Sequence, residues 1–239
     1  MSRWLRVLLD AVFPPACEVC DAGLPAGAAV ALCAACRAGM PPPPPVQCTV
    51  CGVPGAFPAG ACPPCRARPP AFRRARAAAL YVPDARGANA VAIAVQRLKY
   101  GGRRRLAAPL GALLAARYPF ARDVLVVPVP LHPHRLRVRG FNQAALLARA
   151  LARRRALPVA ASALVRTRAT AAQPGLCAAA RRSNLHAAFR VARPGLVRGR
   201  SILLVDDVLT TGATADACAV ALRMAGAACV DVYTLGRAP

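Results

Sequence analysis

Acidic side chains are scarce in this 239-residue chain: nine Asp and Glu stand against 33 Lys and Arg, a formal net charge of +24. The excess therefore owes as much to missing acids as to plentiful bases. Lysine is nearly absent too, since Lys99 is the only one among those bases. Arginine beside so much Ala, Gly and Pro reads as a compositional habit, so charge alone does not name a partner. No apolar run reaches the ~18 residues of a membrane span. Aromatics are few, with one Trp, four Tyr and six Phe, which leaves little for stacking unpaired bases. Neither G-x-x-x-x-G-K-[ST] nor a G-x-G-x-x-G after a strand occurs, which disfavours a P-loop nucleotidase and a dinucleotide enzyme. Near the start, Asp10 interrupts the apolar residues and no A-x-A site follows, so export is not expected. With 56% apolar and only 18% charged residues, disorder is excluded as well. The expectation is a soluble globular protein drawn to polyanions or phosphates, without a membrane span.

What the chain has in abundance is cysteine. Eight of the eleven form four C-x-x-C pairs, Cys17/Cys20, Cys33/Cys36, Cys48/Cys51 and Cys62/Cys65, with gaps of 12, 11 and 10 residues. One such pair sets two thiolates on one side of a tight turn, and two pairs complete a tetrahedral Zn²⁺ site. Two structural zincs in a reducing cytoplasm are preferred over a disulfide scaffold, which needs an oxidising compartment. At −2 per Cys₄ site, two zincs take the formal +24 to +20. Sequential pairing is the simpler arrangement, and interleaving stays open. Cys218 and Cys229 sit in apolar runs as small fillers, and Cys177 has no histidine to activate it.

Composition divides the chain into a Cys-, Pro- and Gly-rich module over 1–70 and an α/β domain over 71–239. Five prolines at 41–45 form a stiff spacer between the cysteine sets. Helices are expected over Ala88–Leu98, Leu106–Arg117, Asn142–Arg155 and Gly212–Ala225. Strands are expected over Asp123–Pro130, Ala163–Arg166, Ser201–Val205 and Cys229–Leu235. That alternation implies an open, mostly parallel sheet.

The most informative stretch is SILLVDDVLTTGAT, 201–214. A β-branched apolar run delivers Asp206 and Asp207 to the carboxyl end of a strand, where open α/β sheets bind ligands. Thr210, Thr211, Gly212, Ala213 and Thr214 then turn into a helix. Glycine admits an anion close to the backbone, threonines add donors, and the helix start offers free N–H groups. A phosphorylated ribose suits both halves: hydroxyls for the acids, the 5′-phosphate for the loop. Reading the acids as plain turn residues is weaker, because two of only nine stand together.

This stretch resembles the phosphoribosyl-pyrophosphate (PRPP) loop of type I phosphoribosyltransferases. With the four C-x-x-C pairs, RLKYGGR (97–103), PVPLHPHRLRVRGFNQA (128–144), RTRATAAQPGL (166–176) and RRSNLHAAFRV (181–191), the chain resembles the ComF family of competence and DNA-uptake proteins. The resemblance implies a type I phosphoribosyltransferase-like α/β sheet preceded by a double zinc ribbon. It implies PRPP with Mg²⁺ as ligand, and Arg135, Arg137, Arg139 and Gly140 as the pyrophosphate turn. It also makes Arg166–Leu176 a loop that covers the site. Arginines at alternate positions independently suit a polyanion through their bidentate forks, though a solvated basic loop explains any one of them equally well. Asn142 is a helix cap or a ligand contact; Lys99 and Tyr100 approach the pocket or a partner. His132, His134 and His186 are not needed by the zinc sites.

Two functions follow. In one, Asp206 and Asp207 hold the ribose hydroxyls of PRPP, residues 210–214 hold the 5′-phosphate, and pyrophosphate is displaced. No acceptor site is recognisable, and no N-terminal cysteine of the glutaminase type is present. In the other, implied by the resemblance, the protein handles single-stranded DNA alongside helicase or recombination proteins.

Overall fold

A computed structural model of the chain describes residues 14–26, 28, 31–83, 87–120, 123–168 and 188–239. Its main sheet has four parallel strands in the order β1-β6-β5-β2: β1 (Arg74–Leu80), β2 (Leu125–Pro128), β5 (Ser201–Leu209) and β6 (Cys229–Arg237). β2, β5 and β6 are apolar almost throughout because the sheet is covered on both faces, which removes the alternation of a half-wet strand. Val126, Leu203, Val205, Tyr233 and Leu235 pack on one side against Leu98, Leu110, Leu114, Leu147 and Leu151. Leu125, Val127, Ile202, Leu204 and Val232 face the other side, toward Cys218 and Leu222. Each fully buried leucine contributes about 1.5–3 kcal/mol.

The covering helices are α3 (Ala90–Tyr100), α4 (Ala107–Ala116) and α6 (Gln143–Arg155) on the first side, and α7 (Ala213–Met224) on the second. Asn89 starts α3 by accepting the Ala92 N–H at 3.1 Å. Asn142 starts α6 by accepting that of Ala144 at 2.9 Å, which is the capping role. α4 and α6 pack so closely that a Cβ placed on Gly111 would lie 2.3 Å from the Cβ of Ala150.

Three differences from the sequence reading matter. β1 occupies RARAAAL, which lacks the β-branched residues that mark a strand. The strand near 163–166 is real but lies outside the main sheet: β3 (Leu164–Arg166) pairs antiparallel with β4 (Phe189–Val191). The expected arginine loop is a helix, α5 (Pro133–Arg139), with proline at its start and Gly140, at φ 75°, at its end. Cys218 is the buried filler expected, and Cys229 is half-buried. Cys177, His186 and most of the 166–176 segment lie outside the described residues. Among the described residues no helix is long and apolar enough to cross a membrane.

The cysteine-rich segment forms two knuckle sets carrying the short helices α1 (Ala34–Ala38) and α2 (Pro63–Ala67). Val19, Leu32 and Met40 of the first set are buried in the core beside α3. Arg97 on α3 and Arg103 just beyond it pair with Asp21 at 2.7 and 2.9 Å. The second set lies along β1, where the Ala75 N–H donates to the Val50 carbonyl at 2.6 Å.

Candidate ligand site and zinc centres

The eight thiols gather sequentially. Cys17, Cys20, Cys33 and Cys36 form one group and Cys48, Cys51, Cys62 and Cys65 the other, each with all its sulfurs within 4.8 Å of one another. Backbone N–H groups point at the sulfurs: those of Val19 and Cys33 at Cys17, both 3.4 Å, and those of Cys51 and Cys62 at Cys48, 3.4 and 3.2 Å. Burial opposes ionisation of Cys17 and Cys48, yet these bonds outweigh it and bring both thiols down to about 6. Burial and the neighbouring thiols push Cys36 and Cys65 the other way. Four thiols gathered this closely in each group are the donor set of structural zinc.

The acids stand where the parallel sheet ends. Asp206 pairs in register with Thr234 of β6, and past Leu209 the chain turns through Thr210 and Thr211 into Gly212. At φ 81°, Gly212 sits in the left-handed region and opens α7; any side chain there would be strained. A small cavity of about 60 Å³ is lined by Asp206, Thr210, Thr211, Gly212, Ala213, Thr214 and Thr234, among others. Its size suits one compact anion.

Consecutive strand residues point to opposite faces, and the two acids accordingly part. Asp206 borders the loop cavity and accepts the N–H of Asp207 at 2.8 Å. Burial first, then the charge of Asp207, push its carboxyl up to about 8, against the pull of that N–H and of Lys99. Asp207 is only 3% exposed, and its Oδ1 lies 2.7 Å from Lys99 Nζ. Its other oxygen is buried with no hydrogen-bond partner among the described residues.

Lys99 also borders a second, larger cavity of about 560 Å³, together with Tyr100, His134, Arg135, Val138, Arg139 and Phe141. Helical spacing puts Arg135 and Arg139 on one face of α5, and Arg137 is not part of the lining. Arg139 lies over the Tyr100 ring at 5.2 Å and donates to Gln143 Oε1 at 2.7 Å. Arg104 lies over Phe141 at 4.7 Å. Gly140 closes α5 through an N–H to the Leu136 carbonyl. His132 caps that helix, and slight burial with nearby cations, Arg166 first, holds it below its usual value. Lys99 is therefore the link between the acid pair and the arginine helix, on the pocket side of the two places, pocket or partner, that the sequence left open for it. Thr234 and Arg237 were not legible, because nothing local distinguishes them from other residues of a buried strand.

Residues 8–67 match the double zinc ribbon domain, and residues 138–239 the phosphoribosyl transferase domain. The chain is 36% identical over 197 residues to the DNA utilization protein YhgH of Escherichia coli O157:H7, covering 80% of this chain and 83% of the relative. It is 35% identical over 159 residues to Competence protein F of Haemophilus influenzae, covering 62% and 68%. The chain belongs to the ComF family. As in the family's pattern, a Cys-rich zinc-ribbon module precedes a phosphoribosyltransferase-like domain with a mostly parallel sheet. Among solved structures, a glutamine PRPP amidotransferase from B. subtilis is similar at 22% identity and a TM-score of 0.40, over 57% of this chain and 30% of that enzyme.

Proposed function

We propose that this ComF-family protein binds a 5-phosphoribosyl ligand, PRPP with Mg²⁺, and acts in cytoplasmic DNA uptake or DNA processing. The observation that carries the ligand is the shared cavity: Asp206 and the 210–214 loop border one space sized for a phosphate. The backbone N–H groups at the start of α7 and the hydroxyls of Thr210, Thr211 and Thr214 receive the 5′-phosphate. Asp206 and the unpartnered oxygen of Asp207 accept from ribose hydroxyls or from waters of a bound metal. Mg²⁺, held mostly by water and ligand phosphates, supplies charge neutralisation at the pyrophosphate. Lys99, Arg135 and Arg139 offer the cations on the far side of Asp207, where the pyrophosphate would lie; Arg137 is the least placed to contribute.

A second reading is an active phosphoribosyltransferase of nucleotide metabolism. The cavity beside Lys99 favours it, since about 560 Å³ leaves room for a displaced pyrophosphate and an acceptor. Catalysis would then be positioning and charge stabilisation at the anomeric carbon. The DNA side of the proposal draws on the relatives' names and on the +24 charge. Its partners would be single-stranded DNA and helicase or recombination proteins, and the division of labour would fall near residue 70.

A thermal-shift titration separates these parts. PRPP with Mg²⁺ is expected to raise Tm, and Asp206→Ala with Asp207→Ala to abolish the rise; no shift at millimolar PRPP would sink the ligand reading. The same double variant is expected to keep single-stranded DNA binding that weakens steeply with salt, and no binding at low salt would remove the DNA reading.

A further inference from the structure

We infer that Arg237 is a positioning residue that couples the second zinc centre to the phosphate loop, so that an anion in the loop and metal in that centre hold each other in place. The inference rests on the loop reading above. Arg237, near the end of β6, is only 5% exposed. Its Nε donates to the Cys51 carbonyl at 3.0 Å, and its Nη1 to the carbonyls of Leu209 and Thr210 at 3.1 and 3.0 Å and to that of Ala238. Its Nη2 lies 3.8 Å from the sulfur of Cys51 itself. One guanidinium thus joins a zinc-ligating residue to the two residues that lead into the loop.

The charge of this group gives the contact its direction. Arginine stays ionised in proteins, and a buried cation is costly without an anionic partner. Among the described residues Arg237 has no carboxylate partner. The sulfur it reaches belongs to a Cys₄ set that carries net negative charge when zinc is bound. Outer partners that donate to ligating groups fix their orientation and tune metal affinity. Here the same outer partner fixes Leu209 and Thr210, so loss of the metal takes away the anion that holds the guanidinium, and the loop carbonyls lose their clamp. The first centre is built differently. It meets the α/β domain through Arg97 and Arg103, which reach Asp21 and Glu18 and not the loop. By linkage, whatever the second centre does for loop affinity, a ligand in the loop does for the second centre.

Site-resolved alkylation of the zinc-loaded protein reads this coupling. Trypsin cuts after Arg6, Arg37 and Arg66, so the first four cysteines leave on the 7–37 peptide and the second four on the 38–66 peptide. Ribose 5-phosphate is the probe, with its binding measured separately by calorimetry. At saturation it is expected to slow N-ethylmaleimide labelling of the 38–66 peptide by about fivefold, the low end of site-to-site coupling, and to leave the 7–37 peptide nearly unchanged. Arg237→Lys and Arg237→Met, each at a probe concentration that calorimetry shows to saturate it, should lose the selective slowing while the probe stays bound, a combination that a general packing defect would not give. If the probe binds and both peptides label at unchanged rates, or if the variants keep the selective slowing, the coupling is refuted. If the probe does not bind the wild-type protein, the loop reading fails and the inference fails with it.

Discussion

Asp206 and Asp207 are neighbours in sequence with different chemical surroundings. Asp207 is neutralised by Lys99 at 2.7 Å, while burial beside that carboxylate holds Asp206 up at about 8. The consequence for stability has a definite sign. An acid near 8 when folded and 3.8 when unfolded binds more protons in the native state between those values. Native stability therefore falls as pH rises from about 4 to about 8 and levels off above the folded value. Asp206→Asn removes this dependence, so the margin of the variant over the wild type should widen as pH rises from ~5 to ~8.5. Urea midpoints at the two pH values check it; a margin that narrows instead would mean that the charged form of Asp206 is favoured in the fold. The sequence announced this pair because acids are rare in the chain. It did not announce that one of them is tied to Lys99, because that contact joins residues 99 and 207 through the folded sheet.

Elements were legible where side-chain pattern and turn chemistry agreed. β5, α7 and α6 lie within a few residues of where apolar runs, Gly212 and Asn142 place them. β1 was missed because alanine and arginine carry no strand signal, and its conformation is imposed by register with β6, from Arg74 opposite Asp231 to Leu80 opposite Arg237. α5 was missed because LHPHRLRVRG reads equally as a basic turn, although proline at a helix start and glycine at its end are both in place. The helix changes the meaning of its arginines: spacing by two does not align three forks, whereas spacing by four aligns Arg135 with Arg139. The crossing of α4 and α6 makes a test at this scale. Gly111→Ala forces a Cβ to 2.3 Å from that of Ala150, so the helices must separate. A loss of about 1–3 kcal/mol is expected for such overpacking, read as a lower urea midpoint. An unchanged midpoint would show that α4 and α6 are not in the contact described.

At the scale of the molecule, the zinc ribbons are built into the α/β domain. Met40 is fully buried in the core, and Arg117 donates to both its carbonyl and that of Ala78, at 2.8 and 2.7 Å. The proline run is held as well, since the Pro41 carbonyl accepts the Leu80 N–H at 3.0 Å at the edge of the sheet. An exposed parallel edge is a liability, and the segments around the second centre cover part of this one through Val50 and Ala75. The ribbons have little else to fold around, being rich in proline and glycine, so their conformation depends on the metal. Removing zinc under reducing conditions should therefore lower the stability of the whole chain. Calorimetry is expected to give one transition for the zinc-loaded protein and one for the chelated protein, the second at lower temperature and with smaller enthalpy. The alternative is an independent module, which would leave the upper transition of the α/β domain where it was. The contacts of Met40 with Arg117, of Pro41 and Val50 with β1, and of Cys51 with Arg237 argue against that independence, because each would be broken when the cysteine sets unfold.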